Sequence, residues 1–429
     1  MYIIFKNISF LKGKELDFID SGFICISKKG IISRADEMSK FDQIISNKYL
    51  LSEKVQIFDG EGLLLIPGFI NSHTHVGDSI GKDIGIDLSF NQRIHPLYGI
   101  KQKILKFSNP NHLKSFMRTS AISMIKKGTT TFVDFREGEM NGINLLKKSI
   151  YDLPIKSIIL GRIDCYFNLN KLNSLTNNNN SYNYIPLSKQ NLLNTILKSC
   201  DGLGLSGANE NTNESLKQYM SYVFSYNKIK NPKKKKLIAI HAAESQDTMK
   251  YSLNATQKTE IQRIIKFLKP KVIVHATHAT SSDLSLISKN NIGIVLCPRA
   301  NSILGVGIPD LSKILKSGCK IALGTDNVMI NPPDILRELE YLWKFSTSNK
   351  NTLNIKNFLK MITVNPSEMF NINSGFIESG KQADILFIDK SHIDLQPIHN
   401  VYVSIVHRLS SNSIKAIMID GRFIDEFIF

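Results

Sequence analysis

Two histidines stand two residues apart at the end of an apolar run, Pro67-Gly68-Phe69-Ile70-Asn71-Ser72-His73-Thr74-His75. In a strand, residues i and i+2 point to the same side, so both imidazoles face one point about 6–7 Å apart along the chain. Neutral imidazole is the commonest metal ligand, and this pair supplies half of a tetrahedral set. Alone, it reads equally well as two polar residues at a strand end. Further along, His241-Ala242-Ala243-Glu244 follows the apolar run 237–240, His275 follows 272–274, and Thr325-Asp326 follows 321–324. Four apolar runs thus end in a histidine or an aspartate. Taken jointly, they point to a metal site rather than to four unrelated hydrogen-bonded side chains.

The elements that must bring these ends together have a clear rhythm. Strands are expected near 63–73, 129–135, 156–163, 202–206, 236–242, 271–277, 292–298 and 320–325, with helices between them, for example at 111–127, 213–229, 256–268 and 333–348. Eight nearly continuous apolar strands alternating with helices predict an α/β fold, a parallel (β/α)8 TIM-type barrel, in which chemistry sits where strands end and loops begin. Residues 1–62 and 374–429 instead alternate apolar and polar residues with the period of an antiparallel sheet. Both ends are therefore expected to build one small composite β-sandwich domain beside a barrel of residues 63–373. The Asn-rich stretch 168–184 is expected to be a mobile loop.

Composition narrows the function classes. A chain of 429 residues with 42% hydrophobic content has ample material for a large core. No apolar run reaches the roughly 18–20 residues that span a bilayer, and the first residues lack a secretory signal, so no membrane and a cytoplasmic location are expected. Five scattered cysteines without CxxC spacing argue against a disulfide framework or zinc ribbon. The net charge of +17 invites a nucleic-acid reading, but the positive charge is spread along the length. The one dense run, Lys233 to Lys236, reads as a solvated loop, and no nucleic acid is expected.

With PGFINSHTH, HAAE, the strand-six His275, GTDN and the tail Gly380-Lys381-Gln382-Ala383-Asp384 in this order, the chain resembles the amidohydrolase superfamily, specifically its hydrolytic deaminase branch. The nearest likeness is to methylthioadenosine/S-adenosylhomocysteine deaminases, with chlorohydrolases as related enzymes. The resemblance implies that His73, His75, His241 and Asp326 ligate one divalent metal; zinc suits the set, and iron or manganese fit too. One ion is favoured over two, because strand four, 202–206, offers no bridging lysine. Glu244 is expected to shuttle protons to the ring nitrogen and the leaving amine, and His275 with Asp326 to activate water. His275 as a fifth ligand is the alternative, while His278 is read as structural. The expected reaction is ammonia release from an aminated purine, pyrimidine or nucleoside. Hydrolysis of a cyclic amide or carbon–halogen bond is the alternative, and a non-catalytic scaffold the remote one.

Barrel logic nominates Arg136, Glu137, Arg162, Arg299 and Asn301 as contacts for a small-molecule substrate, with Asp78, Lys82 and Asp83 as further candidates. Three departures from the family pattern bear on specificity. The loop after His75 lacks the tryptophan-bearing pattern of the adenosine-derivative enzymes. Ser206-Gly207-Ala208-Asn209 stands where those enzymes carry a substrate-binding histidine, and Asn327–Pro333 replaces a small-residue loop. The family implies a homo-oligomer as an option, though no stretch of this chain marks an interface.

Overall fold

A computed structural model describes residues 2–45, 55–167, 169, 184–230, 234–348 and 353–424. The Asn-rich stretch expected as a loop lies, but for Leu169 and Tyr184, outside the described residues, as does Lys233. The chain opens with β1 (Tyr2–Lys12), β2 (Asp17–Ile26), β3 (Ile32–Glu37), β4 (Val55–Asp59) and β5 (Leu63–Pro67). A second set follows: β6 (Phe69–His75), β7 (Thr129–Arg136), β8 (Lys156–Gly161), β9 (Gly202–Gly207), β10 (Leu237–Ala242), β11 (Val272–His275), β12 (Gly293–Leu296), β13 (Lys320–Leu323) and β14 (Asp326–Asn327). The chain returns through β15 (Ile385–Asp389), β16 (Ile414–Ile419) and β17 (Arg422–Phe423).

Among the described residues the terminal strands form one eight-stranded sheet in the order β17-β16-β15-β5-β1-β2-β3, with β4 beside β1. This corrects the expected sandwich. Strand β5 lies between β1 and β15, so both ends of the chain share a single hydrogen-bonded sheet. The expected strand 63–73 is accordingly two strands. At Gly68 the chain leaves one sheet for the other: the Gly68 N–H donates to Asp384 O and that of Phe69 to Gly128 O, both at 2.9 Å. A Cβ at Gly68 would lie 2.4 Å from Thr130 Cγ2, which leaves no room for a side chain at the crossing.

The second sheet is parallel, in the order β13-β12-β11-β10-β9-β8-β7-β6-β14. Its period of two separates two apolar cores. Val133, Phe135, Ile158, Leu160, Ala239, Val274 and Val295 pack together on one face. Their neighbours Phe132, Ile159, Ile238, Ile240, Ile273 and Ile294 join the cluster that includes the flanking helices. Burial on both faces is why these strands read as near-continuous apolar runs. The sheet's two edges are consecutive pieces of chain: β13 pairs with β12, and after Gly324-Thr325 the short β14 pairs with β6. The Thr325 N–H donates to His73 O at 3.0 Å and the Gly324 N–H to Leu296 O at 2.9 Å. The helices expected at 111–127, 213–229 and 333–348 lie at Pro110–Lys126, Asn213–Lys230 and Ile335–Ser348. The one expected at 256–268 starts later, at Glu260–Phe267, because the Thr259 side chain caps it and Gln257 is left-handed.

Candidate metal centre and active site

The ends of β6, β10, β11 and β14 converge. His73 Nε2 lies 3.2 Å from Asp326 Oδ1 and 3.2 Å from His241 Nε2, and His75 Nε2 lies 3.6 Å from the same Asp326 oxygen. His73, His75 and Asp326 are buried and His241 is partly exposed. Main-chain and amide oxygens fix three of the rings. The Nδ1–H of His75 donates to Phe135 O at 3.1 Å, that of His241 to Ser206 O at 2.6 Å, and that of His275 to Asn301 Oδ1 at 3.0 Å. A carbonyl only accepts, so each of these rings carries its proton on Nδ1 and turns a bare Nε2 inward. His73 differs: its Nδ1 finds no hydrogen-bond partner among the described residues, and its ring is wedged edge-on against Phe135 at 4.4 Å.

Charge decides what this arrangement holds. Burial lowers the His73 pKa to about 3 and pushes His241 well below its ordinary value, so neither takes a proton near neutrality. Burial alone would raise Asp326, yet the His73 hydrogen bond and the surrounding imidazoles hold its carboxyl far below the ordinary range. The bare Nε2 atoms of His75 and His241 therefore turn lone pairs toward the same point as the Asp326 carboxylate, with His75 Nε2 3.6 Å from Asp326 Oδ1 and His241 Nε2 3.2 Å from His73 Nε2. That contact is repulsive unless a cation sits among them, and three imidazoles with one carboxylate fit one divalent ion. His275, His73 and His241 also place ligand atoms within 4.8 Å of one another, as do Glu244, His275 and Asp326.

Glu244 stands three residues beyond His241, with Oε1 3.5 Å from His275 Nε2. Neither atom has a hydrogen-bond partner among the described residues. Burial, reinforced by Asp326, Glu260 and Glu210, raises the Glu244 pKa well above the carboxylate range. Ala243 is left-handed at φ 54°, and its N–H donates to Glu260 Oε2 at 2.9 Å, which fixes the turn that aims Glu244 inward. His275 (φ 73°) and Asp326 (φ 60°) are left-handed too, a conformation costly for side-chain-bearing residues.

The nominated substrate contacts divide. Glu137 and Arg162 line the cavity together with His75, His241, Glu244, His275 and Asp326. Glu137 Oε1 lies 2.7 Å from His75 Nδ1 and 2.7 Å from Lys101 Nζ. Burial would raise Glu137, but Lys101, His75 and Arg136 hold it well below the usual carboxylate range. Arg136, Arg299 and Asn301 do not line the cavity. Arg136 is turned into the protein, with Nη1 3.2 Å from Asp134 and Nη2 2.6 Å from Glu137. Arg299 pairs with Glu338 at 3.4 Å, and Asn301 orients His275. Asp78 is buried, accepting from Asn327 Nδ2 at 2.8 Å, whereas Lys82 and Asp83 are exposed. His278 donates to Val306 O, and the free cysteines are buried except Cys165. Lys101, Glu210 and Glu260 line the cavity without having been nominated. Glu210, three residues past β9, is within reach of the strand-end rule. Lys101, on the helix Ile100–Phe107, leaves no such signal.

Residues 64–424 match the amidohydrolase family. The chain belongs to that family. This amidohydrolase is thus a hydrolase acting on carbon–nitrogen bonds. It is 35% identical over 355 residues to an uncharacterised protein of Methanocaldococcus jannaschii, covering 82% of this chain and 85% of the relative. It is 27% identical to a 5-methylthioadenosine/S-adenosylhomocysteine deaminase of Thermococcus sibiricus, covering 95% and 93%. Among solved structures it shares the fold of an atrazine chlorohydrolase of Arthrobacter aurescens complexed with zinc, at TM-score 0.79 and 16% identity, over 99% of this chain and 95% of that one.

Proposed function

We propose that this amidohydrolase is a metal-dependent hydrolytic deaminase of an aminated nitrogen heterocycle, converting a ring C–NH2 with water into C=O and ammonia. The fold that carries it is read as a closed (β/α)8 barrel, a reading supported by the segment 320–327, which pairs with β12 at one end and β6 at the other. His73, His75, His241 and Asp326 hold the metal, for which the donor set and the zinc-containing chlorohydrolase favour zinc. A divalent ion there supplies Lewis acidity, which lets a water ionise near neutral pH.

The observation that carries the reading is Glu244: a carboxyl on the cavity wall beside His275, its side chain only 12% exposed, whose pKa is raised well above the carboxylate range by burial. A neutral carboxyl gives its proton to a ring nitrogen, which makes the adjacent carbon electrophilic. As a carboxylate it then carries a second proton to the departing amine. His275, oriented by Asn301, and Asp326 take the proton of the attacking water. Arg162 and Glu137 line the same cavity and are the proposed substrate contacts. The expected result for Glu244→Gln is a kcat lower by about 10²–10⁴-fold with metal content unchanged, measured by ammonia release and metal analysis. A near-normal rate removes Glu244 from the mechanism.

A further inference from the structure

The stretch between β6 and the helix Pro110–Lys126 supplies Phe90, Ile94, His95, Lys101 and Gln102 to the cavity lining. Its polar bonds are internal. Gly85 O accepts from Arg93 Nε at 2.7 Å, the Gly99 N–H donates to His95 O at 2.9 Å, and the Ser89 N–H donates to Gln92 Oε1 at 3.1 Å. Among the described residues every hydrogen bond and ion pair of residues 85–108 ends within that stretch, save those of the Lys101 side chain. The remaining hold is apolar, as where Leu105 packs against the main core.

Lys101 is 4% exposed. Burying an ammonium is costly unless carboxylates meet it. Two do: Glu137 Oε1 lies 2.7 Å and Asp78 Oδ2 3.6 Å from its Nζ. Each leads on to a proposed metal ligand. The same Glu137 oxygen lies 2.7 Å from His75 Nδ1. Asp78 accepts from Asn327 Nδ2 at 2.8 Å and from the Met329 N–H at 3.0 Å, and Asn327 follows Asp326 in β14, paired with His75 of β6. One ammonium therefore joins the cavity-lining stretch to both strands that end in these ligands. Groups behind a metal's ligands set the orientation of those ligands, so order on one side of Lys101 is felt on the other.

We infer that Lys101 is a positioning residue that couples residues 85–108 to the metal centre: filling the site fixes His75 and Asp326, hence Glu137 and Asp78, and through Lys101 orders the stretch that lines the cavity. Coupling is reciprocal, so the ordered stretch strengthens metal binding by the same factor. The inference concerns the metal site and goes beyond the deaminase reading without using it.

The test is amide hydrogen exchange, followed by mass spectrometry, of metal-free protein and of protein loaded with one equivalent of zinc. In the wild type zinc is expected to slow exchange across 85–108 about tenfold, and in Lys101→Met that slowing is expected to shrink below about twofold. By the same linkage the zinc Kd of the variant is expected to rise about tenfold. Should Lys101→Met fail to fold, Lys101→Met combined with Asp78→Asn removes the cation together with one of its carboxyls and carries the same expectation. Loosening that is uniform, with the helix Glu139–Ile150 gaining exchange as much as 85–108, is what a merely structural role gives and overturns the inference. Zinc protection of 85–108 that is absent in the wild type, or equal in the variant, overturns it too. None of these readings involves ammonia release, which tests the deaminase reading separately.

Discussion

Glu137 and Glu244 line one cavity and are driven apart. Two cations, Lys101 and Arg136, and the His75 imidazole gather on Glu137 and hold its pKa well below the usual range, whereas Glu244 has no Lys or Arg within ion-pair distance among the described residues and burial raises its pKa well above that range. Glutamates separated in this way suit different tasks: a fixed negative charge beside His75 for Glu137, and the proposed proton donor for Glu244. Glu260 is a third case. Burial raises its pKa from 4.5 to about 7, so the folded state binds a proton that the unfolded chain has lost between those values. Its contribution to stability is fully present below pH 4.5 and is lost as pH rises through 7, by about 3 kcal/mol in total. Glu260→Gln keeps an oxygen to accept the Ala243 N–H and removes the titration. Thermal unfolding against pH is therefore expected to be flatter in the variant over this window, and parallel curves would contradict the assignment.

The strand ends act as a unit, and their spacing depends on a single missing Cβ. A side chain at Gly324 would place its Cβ 2.5 Å from His73 Cβ and 2.8 Å from His73 N, both on rigid structure. Gly324→Ala is expected to push β6 away from the last strand and lower metal occupancy at least several-fold, read by metal analysis of folded protein. Full occupancy would show that His73 has room to yield. The same element logic explains what the sequence made legible. Apolar runs ending in His or Asp marked His73, His75, His241, His275 and Asp326, because parallel strands bring all such ends to one face. The rule names the end of a strand but not the direction of the next side chain. Arg136 turned to Asp134 and Arg299 to Glu338 because buried guanidinium groups go to the nearest carboxylates. Lys101 lies far from any strand, so only the folded chain brings it to Glu137.

At the scale of the whole molecule, the division at Gly68 ties the small sheet to the catalytic strand. The chain pairs with β1 and β15 up to Pro67 and after Gly68 begins β6, which ends in the two histidines proposed as metal ligands. The apolar continuity of 63–73 hid that crossing, since burial in either sheet gives the same residue types. The net charge of +17 is likewise not the charge of the site. Among the described residues its lining includes Glu137, Glu210, Glu244, Glu260 and Asp326 against Lys101 and Arg162, which suits a divalent metal and the proton-accepting ring of the proposed substrate. The most direct measurement is ammonia release from amino-purines, amino-pyrimidines and their nucleosides by protein loaded with one equivalent of zinc. The account predicts stoichiometric ammonia from at least one of them, released about 10²–10⁴-fold more slowly by Glu244→Gln. No ammonia from any of them, with the metal site fully loaded, would contradict it.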